Sequence, residues 1–194
     1  LLEEKEKKQK SSLDTDLIST NENALFADPR DGRLGNPEGH QVFVEFLDYN
    51  CSYCRANVAA ILTFLENNPN AALIIKEFPI LGAASEQAAK TALAIKALYG
   101  NEAYGDFHEA LLTIKGQLAP VVIAKLVRDA GYDFKEVQQM SRSTDIAKQI
   151  ADNRALARQM KISGTPGFVF RDGIHRGAID AKSIQGRFLA KQTQ

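Results

Sequence analysis

The two cysteines of the chain stand three residues apart, in Cys51-Ser52-Tyr53-Cys54, and there are no others. They fall where the hydrophobic pattern changes period. The run HQVFVEFLD from His40 to Asp48 is apolar on both faces apart from Glu45, the pattern of a central strand covered on two sides. The run from Arg55 to Glu66 reads as a helix. A CxxC carried by a strand-to-helix turn allows few folds, because the helix must return to the sheet beside that strand. Asn67-Asn68-Pro69-Asn70 supplies the turn, and Ala72 to Phe78 reads as the second strand, ending at Pro79. Together they predict a β-α-β unit with parallel strands and a right-handed crossover.

Residues 82 to about 160 read as a helical tract. Ala88 to Tyr99 is rich in Ala and Leu and stops at Gly100. Phe107, Leu111 and Ile114 form the next stripe, closed by Gly116. Pro120 opens Val121 to Ala130, which ends at Gly131. From Phe134 a longer segment keeps Ile146, Ile150 and Ala157 in helical period. These stripes read as packing faces rather than a cofactor box. The sheet resumes after Gly164-Thr165-Pro166-Gly167, with Phe168 to Phe170 as a strand, Arg171-Asp172-Gly173 as a hairpin turn and Ile174 to Ile179 as the return strand. Asp180 or Ser183 can cap a last helix through Ala190. The order is β-α-β, a helical block, then β-β-α: an α/β chain with a thioredoxin layout and a helical domain inserted in its middle.

The first residues, LLEEKEKKQK, are almost all charged or polar and too poor in apolar side chains to bury themselves. Leu13 and Leu17 follow at a spacing that shares a helix face, with Ile18 beside them. Two readings stand: a frayed tail, or a helical arm that pairs with its counterpart in another subunit. Asp28 to Gly39, rich in Pro and Gly, reads as a loop that closes this extension off. The expected division is an extension over 1–24 and one domain over 25–194, with the core beginning at Gln41.

Lys plus Arg equals Asp plus Glu at 24 each, so no net field favours nucleic acid or an anionic membrane. No apolar run approaches the length needed to span a bilayer. The chain begins with Leu1 rather than Met, and the expectation is a mature form whose targeting segment has been removed.

A thiol reacts as its thiolate. At the start of a helix, unpaired N–H groups and the dipole favour negative charge, so Cys51 is expected to have a lowered pKa and to be the exposed, attacking sulfur. Cys54, one turn in, is expected to be more buried and to resolve the mixed disulfide. A permanent structural bridge is the first alternative, but it would close a loop too short to remove much chain entropy. Zinc is the second, but it wants four ligands, and His40, His108 and His175 lie in separate elements. No metal and no cofactor is expected beyond a redox-active disulfide between Cys51 and Cys54. Glu45 is a carboxylate in an apolar strand and must be neutral, paired or used to carry a proton, unless it faces a watery groove. Lys76 near the end of the second strand is its expected partner. In Gly164-Thr165-Pro166, a cis proline would turn the Thr165 backbone toward a substrate strand.

VEFLDYNCSYCR at 44–55, KEFPILG at 76–82 and GTPGFVF at 164–170 together resemble the DsbA-like branch of the thioredoxin superfamily, including ScsC and other oligomeric members. The resemblance spans about residues 25–194. It implies Cys51 as nucleophile, Cys54 as resolving thiol, Pro166 as the facing cis proline, and Glu45 with Lys76 as the acid–base pair beneath the site. Ser52, Tyr53, Thr165 and Pro166 would then contact substrate. Ser-Tyr replaces the Pro-His of the monomeric oxidase, and Thr replaces Val before the proline. Both changes are similar to the disulfide isomerases of the periplasm, which implies isomerase activity, with or without dithiol oxidase activity. It also implies a periplasmic location, unfolded or misoxidised client proteins, a membrane or soluble redox partner that resets the pair, and a homo-oligomer built through the N-terminal arm. A monomeric dithiol oxidase is the alternative within the class. A redox-linked chaperone or a copper-binding protein, holding Cu(I) between reduced thiols, is the alternative outside it.

Overall fold

The computed structural model describes residues 2–189. Strands β2 (Gln41–Leu47) and β3 (Ala71–Glu77) lie parallel at the centre of the sheet, joined by helix α3 (Ser52–Asn67). Strand β1 (Gly32–Gly35) flanks β3, and β4 (Gly167–Phe170) and β5 (Gly173–Arg176) extend the other side, giving the order β1-β3-β2-β4-β5. All three outer pairings are antiparallel. The described chain is thus a thioredoxin-type mixed α/β fold with a helical insertion between its halves.

Side chains alternate across a pleated sheet, and both faces are covered here. On one face Phe43, Leu47, Leu73, Ile75, Phe168 and Phe170 share a core with both cysteines and residues of α3, α4 (Ala83–Thr113) and α8 (Ala181–Leu189). The Phe43 and Phe170 rings stack there with centroids 5.5 Å apart. On the other face Val44, Phe46, Ile74 and Val169 pack with α1 (Leu2–Thr20), α2 (Glu22–Phe26) and α7 (Thr144–Gln159). This double cover explains the nearly unbroken apolar runs of β2 and β3.

The helical block is α4, α5 (Pro120–Asp129), α6 (Phe134–Ser141) and α7. Gly100 interrupts α4 with φ 91° and ψ −177°, a conformation only glycine adopts without strain, so the expected stop there is a sharp break between two helical runs. The single long segment expected from Phe134 is instead two helices. Ser143 begins the second by accepting the Ile146 N–H at 3.3 Å.

Two further expectations change. The segment Asp28 to Gly39, read as loop, contains β1. Its pairing with β3 is a tertiary contact, and the Asn101 side chain blunts its outer edge by accepting the Arg33 N–H at 2.8 Å and donating to the Arg33 carbonyl at 2.5 Å. The return strand ends at Arg176 rather than Ile179, because Gly177 turns the chain with φ 100° and donates its N–H to the Pro166 carbonyl at 2.9 Å.

The N-terminal helix divides into two stretches. Glu4 to Glu6, Gln9 and Ser11 to Leu13 are exposed, whereas Asp14 and Ile18 are buried. Asp14 lies 3.6 Å from Arg176, and Ile18 joins Leu25 and Phe26 in the core behind the sheet. Among the described residues no helix is long and apolar enough to cross a membrane.

Candidate active site

Strand β2 ends at Leu47, and the next four residues set the position of the thiols. Asp48 is buried and acts as the fastener. Its carbonyl accepts the Cys51 N–H at 3.0 Å, and its carboxylate accepts the N–H groups of Asn50, Ile80 and Leu81 at 2.8, 2.7 and 2.9 Å. Cys51 then takes the N-cap position of α3, with φ −72° and ψ 118°. Arg55, one turn on, donates to the carbonyls of Leu112, Ile114 and Gly116 and so ties the CxxC helix to the end of α4.

Both cysteines are unlinked thiols. The Cys51 thiol donates to the carbonyl oxygen of Thr165 at 3.1 Å, and the Thr165–Pro166 bond is cis. The structure therefore brings the CxxC and the Thr165-Pro166 turn together across 114 residues of sequence. Cys51 is not the open sulfur that its helix-start position predicts: it is only 6% exposed, because the Thr165 carbonyl lies over it. Cys54 is deeper, at 1%. Burial, and then the neighbouring Glu45, push the Cys54 thiol well above the usual range. Ser52 is exposed, Tyr53 is 68% exposed, Thr165 is half-buried and Pro166 is buried.

The expected pairing of Glu45 with Lys76 does not form. Glu45 stands opposite Ile75 in the β2–β3 register, while Lys76 stands opposite Phe46, so the two side chains leave the sheet on opposite faces. Lys76 turns away from the cysteines, bonding the Asp31 carboxylate and the Ala24 carbonyl, the latter at 2.5 Å. Glu45 faces the cysteine side and is 3% exposed, and among the described residues no cation pairs with it. Burial, the neighbouring Cys51 and a second acid, Glu77, raise its pKa to about 8.

Glu77 comes from the end of β3 on the same face as Glu45 and is fully buried. Its Oε1 accepts the hydroxyls of Tyr49 and Tyr104, each at 2.7 Å, while Oε2 has no partner among the described residues. Burial raises its pKa to about 8 against the pull of the two phenols. The Tyr49 oxygen also lies 3.0 Å from His108 Nδ1, and since its one proton goes to Glu77, Nδ1–H is the donor of that contact. Burial holds the His108 imidazole neutral, with its pKa lowered to about 3. Tyr104 reaches Glu77 across Gly32, where a Cβ would stand 1.9 Å from the ring.

Tyr49, Glu77 and His108 were not legible as a unit. Tyr49 lies between Asp48 and Asn50, Glu77 follows Lys76 and His108 precedes Glu109, so none stands out as a buried polar group, and only strand register and the fold of the insertion bring them together. Asp48 next to the CxxC was the one available signal. Among the described residues no group of three or more His, Cys, Asp or Glu side chains is placed to hold a metal ion. The reduced pair supports reversible attack of one thiolate on a disulfide, with a second thiol behind it to release the product.

Residues 42–188 match the family model described as a DSBA-like thioredoxin domain. Among solved structures, a thioredoxin-like oxidoreductase from Silicibacter pomeroyi is 34% identical with a TM-score of 0.83, covering 89% of this chain and 98% of its own. The thiol-disulfide exchange protein alpha-DsbA2 from Wolbachia pipientis is 30% identical with a TM-score of 0.85, covering 95% and 97%. A linker-deletion mutant of ScsC from Proteus mirabilis is 26% identical with a TM-score of 0.87, covering 98% and 87%. The chain spans about a quarter (24%) of the length of the curated relatives it matches, such as a Na(+)/H(+) antiporter NhaA 1 of Salinispora arenicola, which is 25% identical over 155 residues. By the family model and by these solved structures, the chain belongs to the DSBA-like thioredoxin domain family.

Proposed function

We propose that the protein exchanges disulfides in cysteine-bearing client proteins outside the cytoplasm, chiefly as an isomerase and also as a dithiol oxidase. The observation that carries this reading is the Cys51 thiol held 3.1 Å from the Thr165 carbonyl, with Cys54 buried behind it. In isomerisation the Cys51 thiolate attacks a client disulfide. One client sulfur bonds to Cys51, and the other leaves as a thiolate and takes up a proton. A different client thiolate then attacks the mixed disulfide and regenerates Cys51, so no electrons are gained or lost overall.

Where no client thiol returns, Cys54 attacks Cys51, and the client leaves reduced by two electrons with the pair oxidised. Oxidation of a client dithiol is the reverse path, in which Cys54 departs as a thiolate and Glu45, neutral near pH 7, supplies its proton. A membrane or soluble thiol-disulfide partner then resets the pair. Tyr53, Ser52 and the backbone of Thr165 form the client contact. A periplasmic location suits a chemistry that needs an oxidising compartment.

Refolding of scrambled ribonuclease by the reduced protein is the test. Recovery of ribonuclease activity in a redox buffer is expected. A protein that oxidises reduced ribonuclease but leaves the scrambled form inactive is a dithiol oxidase only, and one that does neither is not an exchange catalyst.

A further inference from the structure

A groove of about 580 Å³ opens beside the Thr165-Pro166 turn. Phe78, Ile80 and Ile162 form its apolar wall, and Arg154, Arg158 and Lys161 rim it from the end of α7. Both walls connect directly to the groups around Cys51. Ile80 is held by the Asp48 carboxylate, whose residue also anchors the Cys51 N–H. Ser163, at the near end, precedes by two residues the Thr165 carbonyl that meets the Cys51 thiol, a span of at most ~7 Å.

The cations differ in how they are used. Arg154 is committed, donating to the Pro79 carbonyl at 2.9 Å and to Glu86 at 3.0 Å, and so fixes the loop that carries Ile80. Arg158 and Lys161 are exposed, and among the described residues neither has an ionic partner. Their charge faces the groove uncompensated in a chain whose net charge is zero.

Lys161 adds an independent observation. It is the one described residue other than glycine with positive φ, at 54°. It sits where α7 ends in a Schellman motif: its N–H meets the Arg158 carbonyl at 3.1 Å, and the Ile162 N–H meets the Ala157 carbonyl at 2.8 Å. The same motif ends α5, where Gly131 and Tyr132 bond Arg128 and Val127 at 2.9 and 3.1 Å, and there the left-handed position is glycine with φ 82°. A lysine at the equivalent place keeps a side chain against backbone preference, and that side chain rims the groove.

The geometry points to this groove as the seat of an acidic residue of the client segment that docks on the Thr165-Pro166 turn. A carboxylate about two to four residues from the attacked cysteine reaches Arg158 and Lys161 at ~3.3 Å per extended residue, with an adjoining apolar side chain on Ile80 and Ile162. The inference rests on the exchange reading above and adds the chemistry of the preferred substrate.

The test uses two cyclic peptides, each closed by one disulfide and differing only in Glu or Gln at the third residue from a cysteine. Their reduction by the full reduced chain is followed as kcat/KM. The wild type is expected to prefer the Glu peptide by about tenfold at ~0.05 M salt, and less at ~0.5 M salt, because exposed charges are screened. The Arg158→Gln/Lys161→Gln double variant is expected to bring the ratio near one. Lys161→Gly is expected to lower the ratio several-fold while raising the melting temperature by about 2–4 °C, so that loss of preference is separated from loss of fold. A wild-type ratio near one, a preference that survives in the double variant, or a ratio undiminished in Lys161→Gly overturns the groove proposal alone. A wild type that reduces neither peptide overturns the exchange reading and the groove proposal with it.

Discussion

Lys76 and Asp31 form an ion pair sealed against the sheet face away from Cys54, with side-chain exposures of 1% and 2%. Gln149 approaches the second Asp31 oxygen at 3.5 Å, and the Ala24 carbonyl takes another Lys76 proton, so the pair fastens α2 and α7 to β3. Removing the cation alone strands a carboxylate in an apolar core. Lys76→Met is therefore expected to lower the unfolding free energy by about 3–5 kcal/mol, and Lys76→Met/Asp31→Leu to recover most of it. Urea unfolding measures both. The pH profile of disulfide exchange in the folded Lys76→Met protein is expected to stay in place, and a shifted profile would return Lys76 to the proton chemistry of the site.

Stability should depend on pH with a sign set by Glu45 and Glu77. Each has a folded pKa raised from 4.5 to about 8, chiefly by burial, so the folded state holds protons that the unfolded chain releases. Their contribution is complete below the unfolded value and is lost as pH rises through the folded one. His108 acts in the opposite sense, its lowered pKa of about 3 taking stability away as pH falls through 6.5. Above about pH 7.5 the unfolded His108 is itself largely neutral and no longer opposes them, so between about pH 7.5 and 8.5 the two carboxyls dominate, and unfolding free energy is expected to fall by at most about 1.4 kcal/mol per pH unit for each. Glu45→Gln and Glu77→Gln should each flatten the slope in urea titrations across that window. A slope unchanged in both variants would mean the two acids are already ionised.

Among the described side chains, those that dock the helical arm lie in its second half, which sharpens the test of self-association. Among the described side chains, deleting residues 1–12 removes exposed ones alone, whereas deletion through Thr20 also strips the buried Asp14 and Ile18. The shorter truncation is expected to reduce the mass by light scattering from an oligomer to a single chain, with a melting temperature close to that of the full chain. An unchanged mass would end the role of the arm in assembly.

Much of this was readable from residues because the signals were local. The two strands and the helix around Cys51-Ser52-Tyr53-Cys54 follow from a change of hydrophobic period, and Gly164-Thr165-Pro166 marks its own turn. Strand β1 escaped because four residues among prolines and glycines carry no period, and its pairing with β3 is decided by the tertiary fold. Lys76 was assigned to Glu45 because both interrupt buried strands, yet one step of register decides which face a side chain takes. The same step brings Glu77, and with it Tyr49, Tyr104 and His108, to the cysteine side. Such partners lie 27 to 59 residues apart, beyond what spacing in a single sequence can join.

The division of labour between the two thiols is open to direct capture. Cys54→Ala, mixed with a peptide disulfide, should accumulate a covalent adduct that peptide mapping by mass spectrometry places on Cys51, since no second thiol releases it. Cys51→Ala should form an adduct at least about a hundredfold more slowly, because the remaining thiol is buried and its thiolate disfavoured. Adducts forming on Cys54 as fast as on Cys51, or none accumulating in Cys54→Ala, would contradict Cys51 as the attacking sulfur and Cys54 as the resolving one.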